Sequence, residues 1–176
     1  MQSKQLPDAL IFFTKTQCIF CKKHLLQSAK SHIPMASKQI IKFFIVEDDS
    51  AFRNILKDIL RKVEESFNGN NVVFEIESFY SIAEAQARIY TNPDIVLLDY
   101  YIVDDDFKQV TSDRLLQDIM ELEKDTKVII VSGEEKPDIV KSLKALGASY
   151  YISKNPKTIA RIIPTIKSLV RKKLVK

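Results

Sequence analysis

Five short apolar runs recur along the chain, and each is followed by a stretch with helical periodicity. The runs cover residues 42–46, 72–79, 95–98, 128–131 and 150–152. Runs as short and apolar as these are typical of strands buried on both faces of a parallel sheet. Repeated strand–helix units with right-handed crossovers predict an α/β domain with a doubly wound, five-stranded parallel sheet.

The stretches between the runs predict amphipathic helices. Between the first two runs the apolar residues recur at the spacing of one helix face, at positions 52, 55, 56, 59, 60 and 63. Ser81 is a candidate cap for a helix over residues 82–90, and residues 159–170 predict a last helix that Pro164 is expected to kink. The segment after Asp99 is predicted to be a polar loop.

Composition excludes several classes of protein. Three glycines are too few for a dinucleotide fingerprint or a phosphate-binding P-loop, and two cysteines cannot form a disulfide framework. No apolar stretch approaches the ~20 residues that a membrane span requires, so we expect a cytoplasmic protein without a membrane partner. The net charge of +4 conceals an acidic body, because residues 36–153 hold 22 acidic and 14 basic side chains.

Polar residues appear at the point where the predicted strands end. Glu47 and Asp48 follow the first run, Asp99 the third, Ser132 the fourth and Lys154 the fifth. In an open parallel sheet the carboxyl ends of the strands form one edge, and ligands bind there. We therefore expect three carboxylates, a hydroxyl and an amine to converge.

Such a cluster favours a hard cation and a phosphoryl group. Crowded carboxylates raise one another's pKa unless a cation neutralises them, and Mg²⁺ prefers oxygen ligands while leaving positions open for phosphate. A carboxylate next to the cation can act as a nucleophile, and Lys154 and Ser132 could then hold the phosphoryl oxygens.

The chain resembles the receiver domain of two-component response regulators. The resemblance rests on FFIVEDDS, on IVLLD ending at Asp99, on VIIVSG with Ser132 and on YYISK with Lys154, and it covers residues 42–170. It implies the flavodoxin-like strand order 2-1-3-4-5. It also implies phosphotransfer to one aspartate from a histidine kinase or a histidine phosphotransfer protein. Such a protein catalyses only its own aspartyl phosphorylation and dephosphorylation and is not an enzyme acting on a separate substrate.

The resemblance implies a role for each residue of the cluster. Asp99 matches the phosphoacceptor, and Lys154 matches the lysine that contacts the phosphoryl oxygen. Ser132 matches the switch hydroxyl, and Tyr151 resembles the aromatic residue whose rotamer follows it. The implied Mg²⁺ ligands are the side chains of Glu47, Asp48 and Asp99 and the backbone carbonyl of Tyr101.

Two departures from the family pattern leave an alternative open. The loop after Asp99 lacks the usual Met-Pro pair and glycine and looks longer, and Asn155 separates Lys154 from Pro156. These differences are compatible with a pseudo-receiver that binds a partner without phosphorylation. A phosphatase of the haloacid dehalogenase type is disfavoured because Tyr101 stands where that family needs a second acid.

The first residues differ from the rest in composition. We expect residues 1–38 to be an N-terminal extension and 39–176 the receiver, with no DNA-binding domain and with output through a downstream protein target. All cysteines and histidines lie in the extension: Cys18, Cys21, His24 and His32. They could form a redox pair or zinc ligands, whereas the segment could also be a flexible extension or a stretch upstream of a natural start at Met35.

Overall fold

The computed structural model describes residues 38–104, 106–122 and 125–175. The predictions for the cysteines and histidines of residues 1–37 lie outside the described residues. Within the described ranges, no helix combines the length and the apolar character needed to cross a bilayer.

A helix follows each predicted strand along the described chain, as the periodicity predicts, although two further strands come before the helix that follows the third. The strands are β1 (Gln39–Val46), β2 (Val72–Phe79), β3 (Ile95–Leu98), β4 (Tyr101–Val103), β5 (Gln109–Thr111), β6 (Lys127–Ser132) and β7 (Tyr150–Ser153). The α-helices are α1 (Ser50–Glu65), α2 (Ile82–Gln86), α3 (Asp113–Leu122), α4 (Pro137–Ala145), α5 (Pro156–Ile159) and α6 (Ile162–Leu174). A short 3₁₀ helix covers Ile89–Thr91.

Five of the described strands form one parallel sheet in the order β2-β1-β3-β6-β7. If only the strands of this sheet are numbered, the order is 2-1-3-4-5, and the predicted doubly wound, flavodoxin-like fold is confirmed. The chain order reverses between β1 and β3, which are neighbours at the centre of the sheet. In an open sheet a crevice forms at this reversal point, above the carboxyl ends of the strands.

Helices cover both faces of the sheet because successive strand residues point to opposite sides. In β1, Phe43 and Ile45 pack in the layer that contains α1 and α6, whereas Phe44 and Val46 pack in the layer that contains α2, α3 and α4. Each of these four side chains is at most 1% exposed. The central strands are therefore apolar on both faces, and their polar neighbours can lie only at the strand ends.

The segment after Asp99 is not a simple loop, and this prediction was wrong. β4 and β5 pair antiparallel, with Tyr101 opposite Thr111 and Val103 opposite Gln109. The turn that joins them is stabilised by Asp104, whose Oδ1 accepts hydrogen bonds from the amides of Asp106 at 3.0 Å and Lys108 at 2.8 Å. The Asp104 side chain thus stabilises this turn, a role that glycine or proline has in turns that are easier to predict from sequence.

Two helices also differ from their predicted extent. The Ser81 hydroxyl caps α2 by accepting from the Glu84 amide at 3.2 Å, but the helix stops at Gln86 and the 3₁₀ turn follows. The last predicted helix is divided into α5 and α6. Pro164 is the third residue of α6, in the first turn, where the missing N–H has no intrahelical acceptor, so the proline removes no hydrogen bond from the helix.

Truncation of one central leucine should test how much this buried sheet stabilises the protein. Leu97 of β3 is 0% exposed, so Leu97→Ala should lower the free energy of unfolding by about 2–5 kcal/mol through lost burial and a residual cavity. Leu122→Ala makes the same chemical change at the end of α3, where the side chain is 57% exposed, and should stay within about 0.5 kcal/mol. Urea denaturation followed by circular dichroism measures both, and equal losses would contradict the assignment of Leu97 to the core.

Candidate functional site

Three carboxylates meet where β1 and β3 end. Glu47 and Asp48 follow the last residue of β1, and Asp99 follows the last residue of β3. One oxygen from each side chain lies within 4.8 Å of the others. Glu47 and Asp99 are buried, at 1% and 6% exposure, and Asp48 is half-buried. The neighbouring positions of β1 and β3 in the sheet bring these acids together, as their place in the sequence predicts.

Lys154 brings the compensating positive charge. It follows β7, and its amide donates a hydrogen bond to the Ser132 carbonyl at 2.8 Å, which places it next to the end of β6. Its Nζ lies 2.6 Å from Asp99 Oδ2 and 2.9 Å from Glu47 Oε1. The ammonium also lies 4.5 Å from the centre of the Phe52 ring, within the range of a cation–π contact. The Asn155 that follows therefore does not prevent Lys154 from reaching the acids.

One oxygen of the cluster is left without a hydrogen bond. Glu47 Oε2 lies 2.8 Å from Lys154 Nζ, close enough for an ion pair, but only Oε1 has hydrogen-bonding geometry toward that ammonium. A buried carboxylate oxygen without a hydrogen bond is costly, and a hard cation would satisfy it. The donor set of Glu47, Asp48 and Asp99 thus fits Mg²⁺, which prefers carboxylate oxygens.

Burial dominates the electrostatics of the site. It raises the pKa of Glu47 to about 7, although the hydrogen bond from Lys154 opposes the shift. It likewise raises the pKa of Asp99, again against the hydrogen bond from Lys154. Burial alone would lower the pKa of Lys154, but hydrogen bonds to Asp99 and Glu47 raise it overall. The ammonium is therefore retained as a cation between two acids that share it.

Arg53 holds the backbone of the acidic segment, and sequence reasoning missed it. From the first turns of α1 its Nη1 donates to the Glu47 carbonyl at 2.5 Å and to the Asp48 carbonyl at 3.3 Å. In the sequence, Arg53 looks like any charged residue on the solvent face of an amphipathic helix, so the hydrophobic periodicity does not identify it as part of the site. Its guanidinium fixes the backbone that carries two of the three carboxylates.

Ser132 and Tyr151 both contact the loop after β6. Ser132 is 1% exposed, and its hydroxyl accepts from the Glu134 amide at 3.2 Å. The half-buried Tyr151 donates its hydroxyl proton to the Glu134 carbonyl, and burial raises the pKa of the phenol. Of the two predicted switch residues, Ser132 therefore bonds the backbone amide of Glu134 and Tyr151 bonds its backbone carbonyl.

Asn155 connects this loop to the one after β7. Its Oδ1 caps α5 by accepting from the amides of Lys157 and Thr158, at 3.0 and 2.9 Å. Its Nδ2 donates to Glu135 Oε1 at 2.7 Å, and Ser153 donates to the same oxygen at 2.6 Å. Asn155, which departs from the family pattern, thus caps α5 and anchors Glu135 of the preceding loop.

The hairpin of β4 and β5 forms one wall of a pocket above Asp99. The Val103 amide donates to Asp48 Oδ2 at 3.2 Å, which ties the hairpin to the acids. Tyr101 and Gln109 line the pocket together with Asp99, Ser132 and Lys154, among others. Tyr101 therefore lies at the site as predicted, while the metal-binding role of its carbonyl stays a prediction. Sequence reasoning missed Gln109 because it lies ten residues beyond Asp99 in the segment interpreted as a loop.

Comparisons with known proteins agree with this geometry. Residues 43–166 match the family model described as "Response regulator receiver domain". The signal receiver domain of a DNA-binding response regulator from Colwellia psychrerythraea 34H is 25% identical, with a TM-score of 0.62 over 74% of this chain and 98% of that one. A CheY-like receiver domain protein from Methanospirillum hungatei JF-1 is also 25% identical, with a TM-score of 0.58 over 77% and 99%. A comparison with curated proteins found no match.

The raised pKa of Glu47 should make the stability of the metal-free protein depend on pH. The folded-state value of about 7 exceeds the ordinary 4.5, so protonated Glu47 favours folding below about pH 4.5, and this advantage is lost as pH rises through 7. Across that window the free energy of unfolding should fall by up to about 3 kcal/mol through this one group. Glu47→Gln should flatten the profile.

Urea denaturation in a chelating buffer at pH 5 and pH 8 measures this effect. Glu75→Gln, which neutralises an exposed carboxylate on β2, is the matched control and should keep the wild-type slope. Parallel profiles for wild type and Glu47→Gln would show that Glu47 is not the group that titrates.

Proposed function

The chain belongs to the response regulator receiver domain family, and from this premise we propose that it is a phosphoacceptor signalling protein of a two-component system or phosphorelay. It takes a phosphoryl group from a phosphohistidine donor on Asp99 and responds by changing a protein-interaction surface. The observation that carries the proposal is the position of Lys154 Nζ, 2.6 Å from Asp99 and 2.8 Å from Glu47. A buried acid with a shared cation beside it is suited to attack an incoming phosphoryl group.

In the transfer step the unprotonated Asp99 carboxylate is the nucleophile. One of its oxygens forms a bond to phosphorus while the bond between phosphorus and the histidine nitrogen breaks, and the electron pair stays on that nitrogen. Lys154 is placed to move from the carboxylate to an oxygen of the bound phosphoryl group, and the Ser132 hydroxyl to donate to another. The protein thereby catalyses only a reaction of its own side chain.

Glu47, Asp48 and Asp99 would hold a Mg²⁺ ion, with the Tyr101 carbonyl as a further proposed ligand. When bound, the ion supplies positive charge that offsets the acids and the phosphoryl oxygens. Arg53 and the Val103 amide support this role, because Arg53 fixes the backbone at Glu47 and the Val103 amide fixes the Asp48 carboxylate, one of the side chains that would hold the ion.

The proposed donor is a histidine kinase or a histidine phosphotransfer protein, and the proposed output is a downstream protein target. Both follow from the family, whose receivers exchange phosphoryl groups with histidine residues. Reducing cytoplasm is the compartment that fits such partners and the lack of a disulfide framework.

Phosphorylation of Asp99 by a small donor tests the proposal directly. Acetyl phosphate with Mg²⁺ should add one phosphoryl group to the wild type, seen by intact-protein mass spectrometry, and none to Asp99→Asn. Asp106→Asn makes the same change at a carboxylate 80% exposed on the hairpin turn and should be modified like the wild type.

Beryllofluoride supplies an independent arm, because it mimics the phosphoryl group without covalent chemistry. Binding to the wild type and loss of binding in Asp99→Asn would support the proposal. A wild type that neither gains a phosphoryl group nor binds beryllofluoride would instead favour the phosphorylation-independent pseudo-receiver.

The switch residues should couple the site to α4. On addition of beryllofluoride with Mg²⁺, the amide resonances of residues 138–145 in α4 should shift in two-dimensional NMR spectra, because the phosphoryl mimic draws Ser132 and its loop toward Asp99. Ser132→Ala should still bind beryllofluoride but lose at least about half of these shifts, since only the hydroxyl contact is removed. Ser149→Ala, an exposed serine before β7, is the control. Unchanged α4 shifts in Ser132→Ala would contradict the switch role.

A further inference from the structure

The pocket above Asp99 has a volume of about 430 Å³, and Gln109 reaches it only because β4 and β5 form a hairpin. Paired residues of antiparallel strands place their side chains on one face, and neighbours along a strand point to opposite faces. Ile102 is 0% exposed and faces the core. Tyr101 and Gln109 therefore share the opposite face, and both line the pocket.

Most polar groups around this pocket are already engaged. The Glu134 carboxylate accepts from the amides of Glu135 and Lys136, both at 3.0 Å, and pairs with Lys136 Nζ at 3.2 Å. Lys154 is held by two acids, and the Ser132 hydroxyl already accepts one hydrogen bond. In the part of the chain that the structure describes, the Gln109 carboxamide makes no hydrogen bond.

We propose that the Gln109 carboxamide orients the water that hydrolyses the phosphorylated Asp99, and so sets the lifetime of the signal. The inference rests on the proposed function, because it requires the aspartyl phosphate. A carboxamide can accept a hydrogen from the water through its oxygen and donate to a phosphoryl oxygen through its nitrogen. A carboxylate in the same place, such as that of Glu134, would repel the negative phosphoryl group.

The hydrolytic step balances with water as the only co-reactant. The water oxygen forms a bond to phosphorus while the bond between phosphorus and the Asp99 oxygen breaks. The electron pair of the broken bond returns to the Asp99 carboxylate. One proton of the water passes to solvent and the other stays on the inorganic phosphate, so Asp99 is ready for another phosphoryl group.

The lifetime of the phosphorylated protein tests this inference. Wild type and Gln109→Ala are loaded with acetyl phosphate and Mg²⁺, the donor is removed by rapid desalting, and the remaining phosphoprotein is followed by mass spectrometry. Loss of one orienting hydrogen bond should lengthen the half-life about tenfold. The initial rate of loading should stay within about twofold of wild type, since the acceptor and its cation are untouched.

Two control variants separate Gln109 from its surroundings. Gln86→Ala removes a carboxamide from α2, where it donates to Asp118 at 2.9 Å, and should leave the half-life unchanged. Thr111→Val removes the hydroxyl of another residue of β5, which is exposed and does not line the pocket, and should also leave it unchanged.

Each other result counts against the inference. A Gln109→Ala half-life within about twofold of wild type, or an equally long half-life in Thr111→Val, would overturn the role of Gln109 while leaving the proposed function intact. An equal slowing of loading and hydrolysis would show that Gln109 positions the phosphoryl group and not the water. Failure of the wild type to accept any phosphoryl group would overturn the proposed function and the inference together.

Discussion

The contact between Lys154 and two buried acids is the interaction on which the site depends. Glu47 and Asp99 come from different strands, and their burial would favour loss of charge if no cation lay beside them. The Lys154 ammonium, 2.6 Å from Asp99 and 2.8 Å from Glu47, opposes this effect and favours the ionised form that the proposed transfer requires of Asp99, although the pKa of each acid stays raised. Because one lysine serves both carboxylates, the site remains short of positive charge. The lack of charge, and not only the geometry, makes the site receptive to a metal ion.

The same contact links distant parts of the chain. Lys154 lies 107 residues from Glu47 and 55 from Asp99 in sequence, yet the parallel sheet brings all three to one edge. Local interactions then refine this arrangement. Arg53 fixes the backbone of the acidic segment, Val103 holds Asp48 from the hairpin, and the Phe52 ring packs against the ammonium. The sheet thus determines which residues meet, and the local contacts determine how precisely their side chains are positioned.

The sequence was sufficient where one physical rule dominates. Apolar runs that must be buried on both faces predicted the strands, and the polar residues that terminate them predicted the convergence of acids, serine and lysine. The prediction of a simple loop after Asp99 failed because the turn there is stabilised by a side chain and contains no glycine or proline. The hairpin has strands of three residues, its turn depends on Asp104 and not on glycine, and Phe107 adopts a positive φ of 60° that no composition rule anticipates. Gln109 could not be assigned to the site without that hairpin, and Arg53 has no pattern that separates it from a solvated helix residue.

Asn155 links the loop that follows β6 to the loop that follows β7 through hydrogen bonds from its side chain. Its side chain holds α5 at one end and Glu135 at the other, and Ser153 reinforces the same carboxylate. Glu135 is the immediate neighbour of Glu134, whose backbone contacts both Ser132 and Tyr151. If Ser132 and its loop move, Glu135 moves with them, and its hydrogen bonds with Ser153 and Asn155 resist the movement. Either those bonds break, or the start of α5 is carried along with the loop. The inserted residue consequently widens the area of surface that a local rearrangement can move.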